Sequence, residues 1–149
     1  MTKYLTILLI VFLSSCCGTH TEIKYKYADI TIKRIDECGK TTFYYQKGQE
    51  QISGRIRAEY SGINDGFKGY LEFNENGRVS LLSGDGYFQT STDLDTTRFN
   101  YKRIYEYSRP ELSENVCQIM LSTKYEKERN LEFESGIQVE YNIDENDWW

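Results

Sequence analysis

One proline, one histidine, four cysteines and two tryptophans are all that this 149-residue chain holds of those four residue types. Each scarcity removes a class of function. With His20 as the sole histidine, Ser-His and Cys-His nucleophile pairs have no base to use elsewhere in the chain. A zinc site needs several His or Cys ligands, and two cysteines distant from the N-terminus, Cys38 and Cys117, do not supply them. No glycine-rich loop opens a helix in the manner of a phosphate cradle, since the glycines fall in turn-like clusters such as SGINDG, NENG and SGDG. No apolar run reaches the roughly 20 residues that a membrane-spanning helix requires. The composition therefore points to a non-enzymatic protein with no catalytic residues, metal or cofactor. Its charge excludes another class. Residues 16–80 hold ten basic and nine acidic side chains, and residues 81–149 hold seven and fourteen. An acidic second half disfavours nucleic acid and anionic lipid, which are themselves negative.

What is present begins with MTKYLTILLIVFLSSCC. Lys3 precedes a nine-residue apolar stretch, Leu5 to Leu13, of the length of a secretory h-region. Leu13-Ser14-Ser15-Cys16 resembles the lipobox of bacterial lipoproteins. That resemblance implies cleavage before Cys16, a diacylglycerol thioether on its sulfur, and acylation (palmitate or similar) of the new amino group. Two or three chains hold a protein stably on a bilayer, where one is marginal. Cys17 is not Asp, so the resemblance implies the outer membrane if the cell is Gram-negative. The expected organisation is a signal peptide at 1–15, a lipidated tether at 16–21 carrying His20, and one domain at 22–149. Export would place Cys38 and Cys117 in an oxidising space. A disulfide between them would close a loop worth about 4–5 kcal/mol on the chain-entropy account; two separate buried thiols are the alternative.

Past the tether, aromatic and β-branched residues alternate with charges, and turn signals recur at short intervals, the pattern of an all-β domain. Ile56, Ala58 and Tyr60 oppose Arg55, Arg57 and Glu59. Phe67, Gly69, Leu71 and Phe73 oppose Lys68, Tyr70 and Glu72. Asn76-Gly77 suits a tight hairpin before Val79 and Leu81, and the turn SGDG leads to the strand YFQT. Leu131 and Phe133 precede a turn into Ile137, Val139, Tyr141 and Ile143. Successive hairpins predict an antiparallel meander forming a small barrel or a sheet similar to that of lipocalin-like lipoproteins, with a β-sandwich as the alternative. From Ile23 to Ile35 the apolar phase slips, which predicts a β-bulge at Ala28-Asp29. Residues 111–124 fit either a strand through Cys117, Ile119 and Leu121 or a short helix through Leu112, Val116, Ile119, Met120 and Thr123.

Candidate binding residues come from the aromatic stripe Phe99, Tyr101, Arg103, Tyr105, Tyr107. An arginine among tyrosines can anchor a ligand in a cavity flanked by stacking rings, making Tyr101, Arg103 and Tyr105 the candidate ligand-binding set. Alternatively Arg103 extends to water over the rings. The acids Asp93 and Asp95, with Asp144, Glu145 and Asp147, are the one set that a carboxylate-dependent hydrolase could use. Trp148-Trp149 fits either packing at the end of the core or contact with sugar or a partner. The functions these features allow are an envelope protein that engages a protein partner, as accessory subunit or inhibitor, or a barrel that holds a small apolar ligand.

Overall fold

The computed structural model describes residues 20–37, 40–59, 68–84, 86–105, 108–120 and 136–143. Eleven strands run through them: β1 (His20–Tyr27), β2 (Ile30–Glu37), β3 (Lys40–Lys47), β4 (Glu50–Gln51), β5 (Ile56–Glu59), β6 (Lys68–Phe73), β7 (Val79–Ser83), β8 (Tyr87–Thr90), β9 (Phe99–Arg103), β10 (Val116–Met120) and β11 (Gln138–Ile143). They form two sheets. The first has the order β11-β1-β2-β3-β5-β8, with β4 paired to β3, and the second the order β10-β6-β7-β9. The protein is all-β, as expected, and the first sheet is an antiparallel meander apart from the long-range pairings of β11 with β1 and of β8 with β5.

The phase slip between Ile23 and Ile35 has a simpler origin than a bulge. Ala28 and Asp29 form a two-residue turn, and Tyr27 pairs with Ile30 across it. In that register odd-numbered positions of β1 face even-numbered positions of β2, so Ile23 meets Arg34 and Tyr25 meets Ile32. The apolar face must switch parity at the turn, because directly opposed residues share a face. The turn places Ala28 at φ +52°, a left-handed conformation that hairpins usually give to glycine or asparagine. The same face continues across β3, where Arg34 meets Phe43 and Ile32 meets Tyr45.

No barrel closes. β8 and β9 are edge strands of different sheets, and where a barrel would need ladder hydrogen bonds their side chains meet instead: the Phe88 and Tyr101 rings stack with centroids 4.2 Å apart. The two sheets pack face to face on one core, the sandwich arrangement. Ile23, Tyr25, Ile32, Phe43, Tyr45 and Ile56 come from the first sheet, and Leu71, Phe73, Val79, Leu81, Phe99, Cys117 and Ile119 from the second. Tyr45 ties the layers together by donating its hydroxyl to the Gly77 carbonyl at 2.7 Å. Burial raises its phenol above the ordinary value of 10.0. Gly77, in the Asn76-Gly77 turn that joins β6 to β7, has φ +84°.

The expected hairpin from β7 into YFQT does not form. β8 crosses to pair with β5, and the chain then returns so that β9 lies parallel to β7. No helix occurs over the described part of 111–124; β10 occupies Val116–Met120. Its ambiguous spacing arises because both faces are covered. Cys117 and Ile119 enter the main core, while Val116 joins a second cluster with Tyr70 and Leu82, covered by Ile104 and Leu112.

The outer face of the first sheet carries ion pairs within and between its strands. Glu22 meets Lys33 at 3.0 Å and Lys24 at 3.2 Å, and Lys26 meets Glu140. Hydrogen bonding from Lys33 is the main cause holding the Glu22 carboxyl below its ordinary 4.5, and Lys26 does the same for Glu140. A carboxyl depressed in the folded state contributes stability that is complete above its unfolded value and is lost as pH falls through its folded value. The urea midpoint is therefore expected to fall on acidification below about pH 4.5. Glu22→Gln should be less stable than the parent at pH 7, and the difference should shrink as pH falls from 7 to about 3. A gap that stays constant between those pH values would refute this account.

Candidate functional site

The candidate residues separate at the end of β9. Phe99 is fully buried and Tyr101 packs on the main core, its hydroxyl donating to the Ser83 carbonyl at 3.1 Å. The strand ends at Arg103, and from there the chain turns over the end of the second sheet. Ile104 donates its amide to Ser83 O at 3.1 Å. Ser108 then closes a tight turn: its amide donates to Tyr105 O at 2.9 Å, and its hydroxyl accepts from Tyr105 N at 3.0 Å. That turn brings Arg109 back beside Arg103. The structure thus brings Arg103 and Tyr105 together and leaves Tyr101 in the core.

Arg103 and Tyr105 line a surface cavity of about 300 Å³, together with Lys68, Tyr70, Ile104 and Arg109. Strand direction explains the assembly. β6 runs antiparallel to β7, and β7 parallel to β9, so the start of β6 and the ends of β7 and β9 lie side by side. Lys68 opens β6, Gly84 follows β7 and Arg103 closes β9. Ser83 fixes the relative position of these ends, since its hydroxyl donates to Lys68 O at 2.9 Å while its carbonyl takes the two bonds from Tyr101 and Ile104. Gly84 is required by the close approach of the turn: a Cβ there would lie 2.7 Å from Ile104 O. Tyr70 and Ile104, members of the second cluster, give the cavity an apolar wall. Tyr105, 65% exposed, stands at its rim. Among the described residues three cations and no carboxylate line it.

No protein-family model, curated protein or solved structure matches this chain. The reading of the site therefore stands on its own chemistry.

Sequence reasoning found Arg103 and Tyr105 but missed Lys68, Tyr70 and Arg109. The available signal was the doublet Leu81-Leu82. Adjacent apolar residues in one strand require cover on both faces, and Tyr70 is the partner of Leu82 on the outer one. The remaining candidates fall elsewhere. His20 and Thr21 belong to β1 rather than to a tether, and His20 Nδ1 lies 2.9 Å from the Glu37 carboxylate. Cys117 is buried in the core, and among the described residues there is no disulfide. Cys16, Cys17, Cys38, Asp144, Glu145, Asp147, Trp148 and Trp149 lie outside the described residues. Asp93 and Asp95 are both exposed. Asp95 shapes its own loop, accepting the Thr97 hydroxyl at 2.6 Å and the Thr97 amide at 3.0 Å. The Thr97 hydroxyl is the main reason that its carboxyl lies below the ordinary 3.8. Among the described residues no group of three His, Cys, Asp or Glu side chains could hold a metal ion.

Proposed function

We propose that this chain is a non-enzymatic binding protein of the bacterial envelope, tethered by lipid on Cys16 and acting through its folded surface as an accessory or inhibitory module. The observation that carries the surface reading is the filled interior. Tyr25, Arg34, Phe43, Tyr45, Phe73 and Phe99 are all fully or almost fully buried between the sheets. A lipocalin-like protein keeps that volume for its ligand, whereas here large side chains occupy it. Recognition then falls to the outside of the molecule, where the cavity around Arg103 is a feature built from several strands. That cavity also favours the second reading, a small-ligand protein whose site lies on the surface rather than inside a barrel.

The anchor supports the location, and it is tested directly. Cells fed a palmitate analogue should label the native chain and leave Cys16→Ala unlabelled, with the variant released from the membrane fraction. Equal labelling of both would remove the lipid from this account. Partner engagement is tested by crosslinking on intact cells. One specific adduct should form with the native chain and weaken when Arg103 and Tyr105 are replaced by Glu and Ala. An adduct indifferent to those two residues would place the interaction on another face.

A further inference from the structure

We infer that the cavity at the end of the second sheet binds a small organic anion, its carboxylate or phosphate group held by Lys68, Arg103 and Arg109 and its body lying between Tyr70, Ile104 and Tyr105. The inference rests on the surface-binding reading above and is independent of whether Cys16 carries lipid.

Local charge at the cavity runs against the charge of the whole chain. The chain has a formal net charge of −5, yet among the described residues the charged side chains that line this cavity, Lys68, Arg103 and Arg109, are all cationic. Elsewhere the described lysines of the first sheet are met by carboxylates: Lys24 and Lys33 by Glu22, Lys26 by Glu140, Lys40 by Glu59, Lys47 by Asp29. Among the described residues neither Lys68 nor Arg103 lies in an ion pair. Like charges gathered in a concave, partly apolar place repel one another, and an anion relieves that repulsion while the low-dielectric walls strengthen its attraction.

The donors also suit an anion in their geometry. A guanidinium presents a planar fork that matches a carboxylate or phosphate, and a lysine adds a point charge that adapts to either. The three groups arrive from three separate segments: β6, the end of β9, and the segment after the Ser108 turn. A surface charge cluster on one strand would not converge in this way. The apolar wall suits an organic body. About 300 Å³ is at the lower end of the volumes that small-molecule sites use. Tyr70 is 7% exposed and set in the second cluster, so it offers a fixed surface rather than a mobile one. Tyr105 at the rim can cover a flat apolar body. An inorganic ion would satisfy the cations and leave these rings unused, so an anion with an organic body should bind more tightly.

The test uses the whole chain and three probes by calorimetric titration: inorganic phosphate, phenyl phosphate and benzoate. Phenyl phosphate should bind at least tenfold more tightly than inorganic phosphate. The Lys68→Gln/Arg103→Gln double variant should lose at least tenfold toward phenyl phosphate, and Tyr105→Ala should lose chiefly the preference for the phenyl group. Lys102→Gln, an exposed neighbour outside the lining, should bind as the parent does. The urea midpoint of each variant establishes that the fold is intact. A parallel arm sediments the Cys16→Ala chain with phosphatidylcholine vesicles, with and without phosphatidylglycerol. Binding to the anionic vesicles that Lys68→Gln/Arg103→Gln abolishes would keep the site and assign its anion to a lipid headgroup. Probe affinity equal in the parent and the double variant, or no binding to any probe or vesicle, would overturn the inference. Loss of palmitate labelling with the titration unchanged would defeat the anchor alone.

Discussion

Asp36→Ala is expected to destabilise the fold by about 3–5 kcal/mol, the cost of removing one partner from a buried ion pair. Arg34 is fully buried in the core-facing row of the first sheet, between Ile23 on β1 and Phe43 on β3. Its guanidinium grips Asp36 through two nitrogens, Nε to Oδ1 at 2.9 Å and Nη2 to Oδ2 at 2.8 Å, and donates to the Tyr25 hydroxyl at 3.1 Å. Thr41 adds a 2.6 Å bond to the same carboxylate. The two partners are unequal in exposure, since Asp36 keeps 22% of its side chain in solvent and Arg34 none. Removing the arginine therefore leaves a carboxylate that water can reach, whereas removing the carboxylate leaves a guanidinium that water cannot. Arg34→Met should cost less, about 1–3 kcal/mol, and Arg34→Met/Asp36→Ala should be more stable than Asp36→Ala alone. Urea denaturation of the three variants measures the cycle. An Asp36→Ala protein within about 1 kcal/mol of the parent would show that the pair does not hold the charge in place.

The second large effect concerns Gly54, between β4 and β5. Its φ is +89°, and a Cβ would stand 2.5 Å from Leu94 Cα and 2.6 Å from Leu94 N. Those atoms are backbone, which no rotamer change can move. The contact is bolted from both sides, because Ser91 receives Arg55 N on its hydroxyl at 2.8 Å and donates its own amide to Arg55 O at 3.0 Å. Gly54→Ala therefore combines left-handed backbone strain of about 1–2 kcal/mol with overpacking of about 1–3 kcal/mol. A loss of about 3 kcal/mol is expected. Gly48→Ala separates the two terms. At φ +56° with nothing within 4 Å of the added carbon, it carries the strain alone, about 1 kcal/mol. Equal losses at the two glycines would mean that the 91–98 loop yields to the new methyl group.

Much of this architecture could be read from the order of residues, and the places where reading stopped share one cause. Period-two alternation identifies strands with one wet face, as it did for Ile56 and Ala58 or for Leu71 and Phe73. It does not say which strand is next to which. Thus YFQT was legible as a strand, but its pairing with β5 rather than β7 depends on Phe88 finding Tyr101, a contact without local signature. Alternation also misleads when both faces are covered, which is why Val116–Met120 read equally as helix or strand. Arg34 was hidden by its chemistry. Parity with Ile30 and Ile32 places it inward, while its charge suggests the opposite, and only the nearby Asp36 and Tyr25 resolve the conflict. The site divided in the same way. Arg103 and Tyr105 stood out within one aromatic stripe, whereas Lys68 becomes their neighbour only through the antiparallel and parallel pairings around β7, and Arg109 only through the turn from Tyr105 to Ser108.

The route from β7 through β8 to β9 has a consequence for how the molecule is made. The chain leaves one layer, lays a rung in the other, and comes back to extend the first, so the two layers are built in alternation. Contacts of this kind join residues remote in sequence and delay folding relative to a simple succession of hairpins. A ribosome-bound fragment ending before β9 would hold an unfinished edge beside an exposed apolar face, the arrangement most open to clumping with its own kind. Protection from aggregation is thus complete only after β9, β10 and β11 have joined β7, β6 and β1.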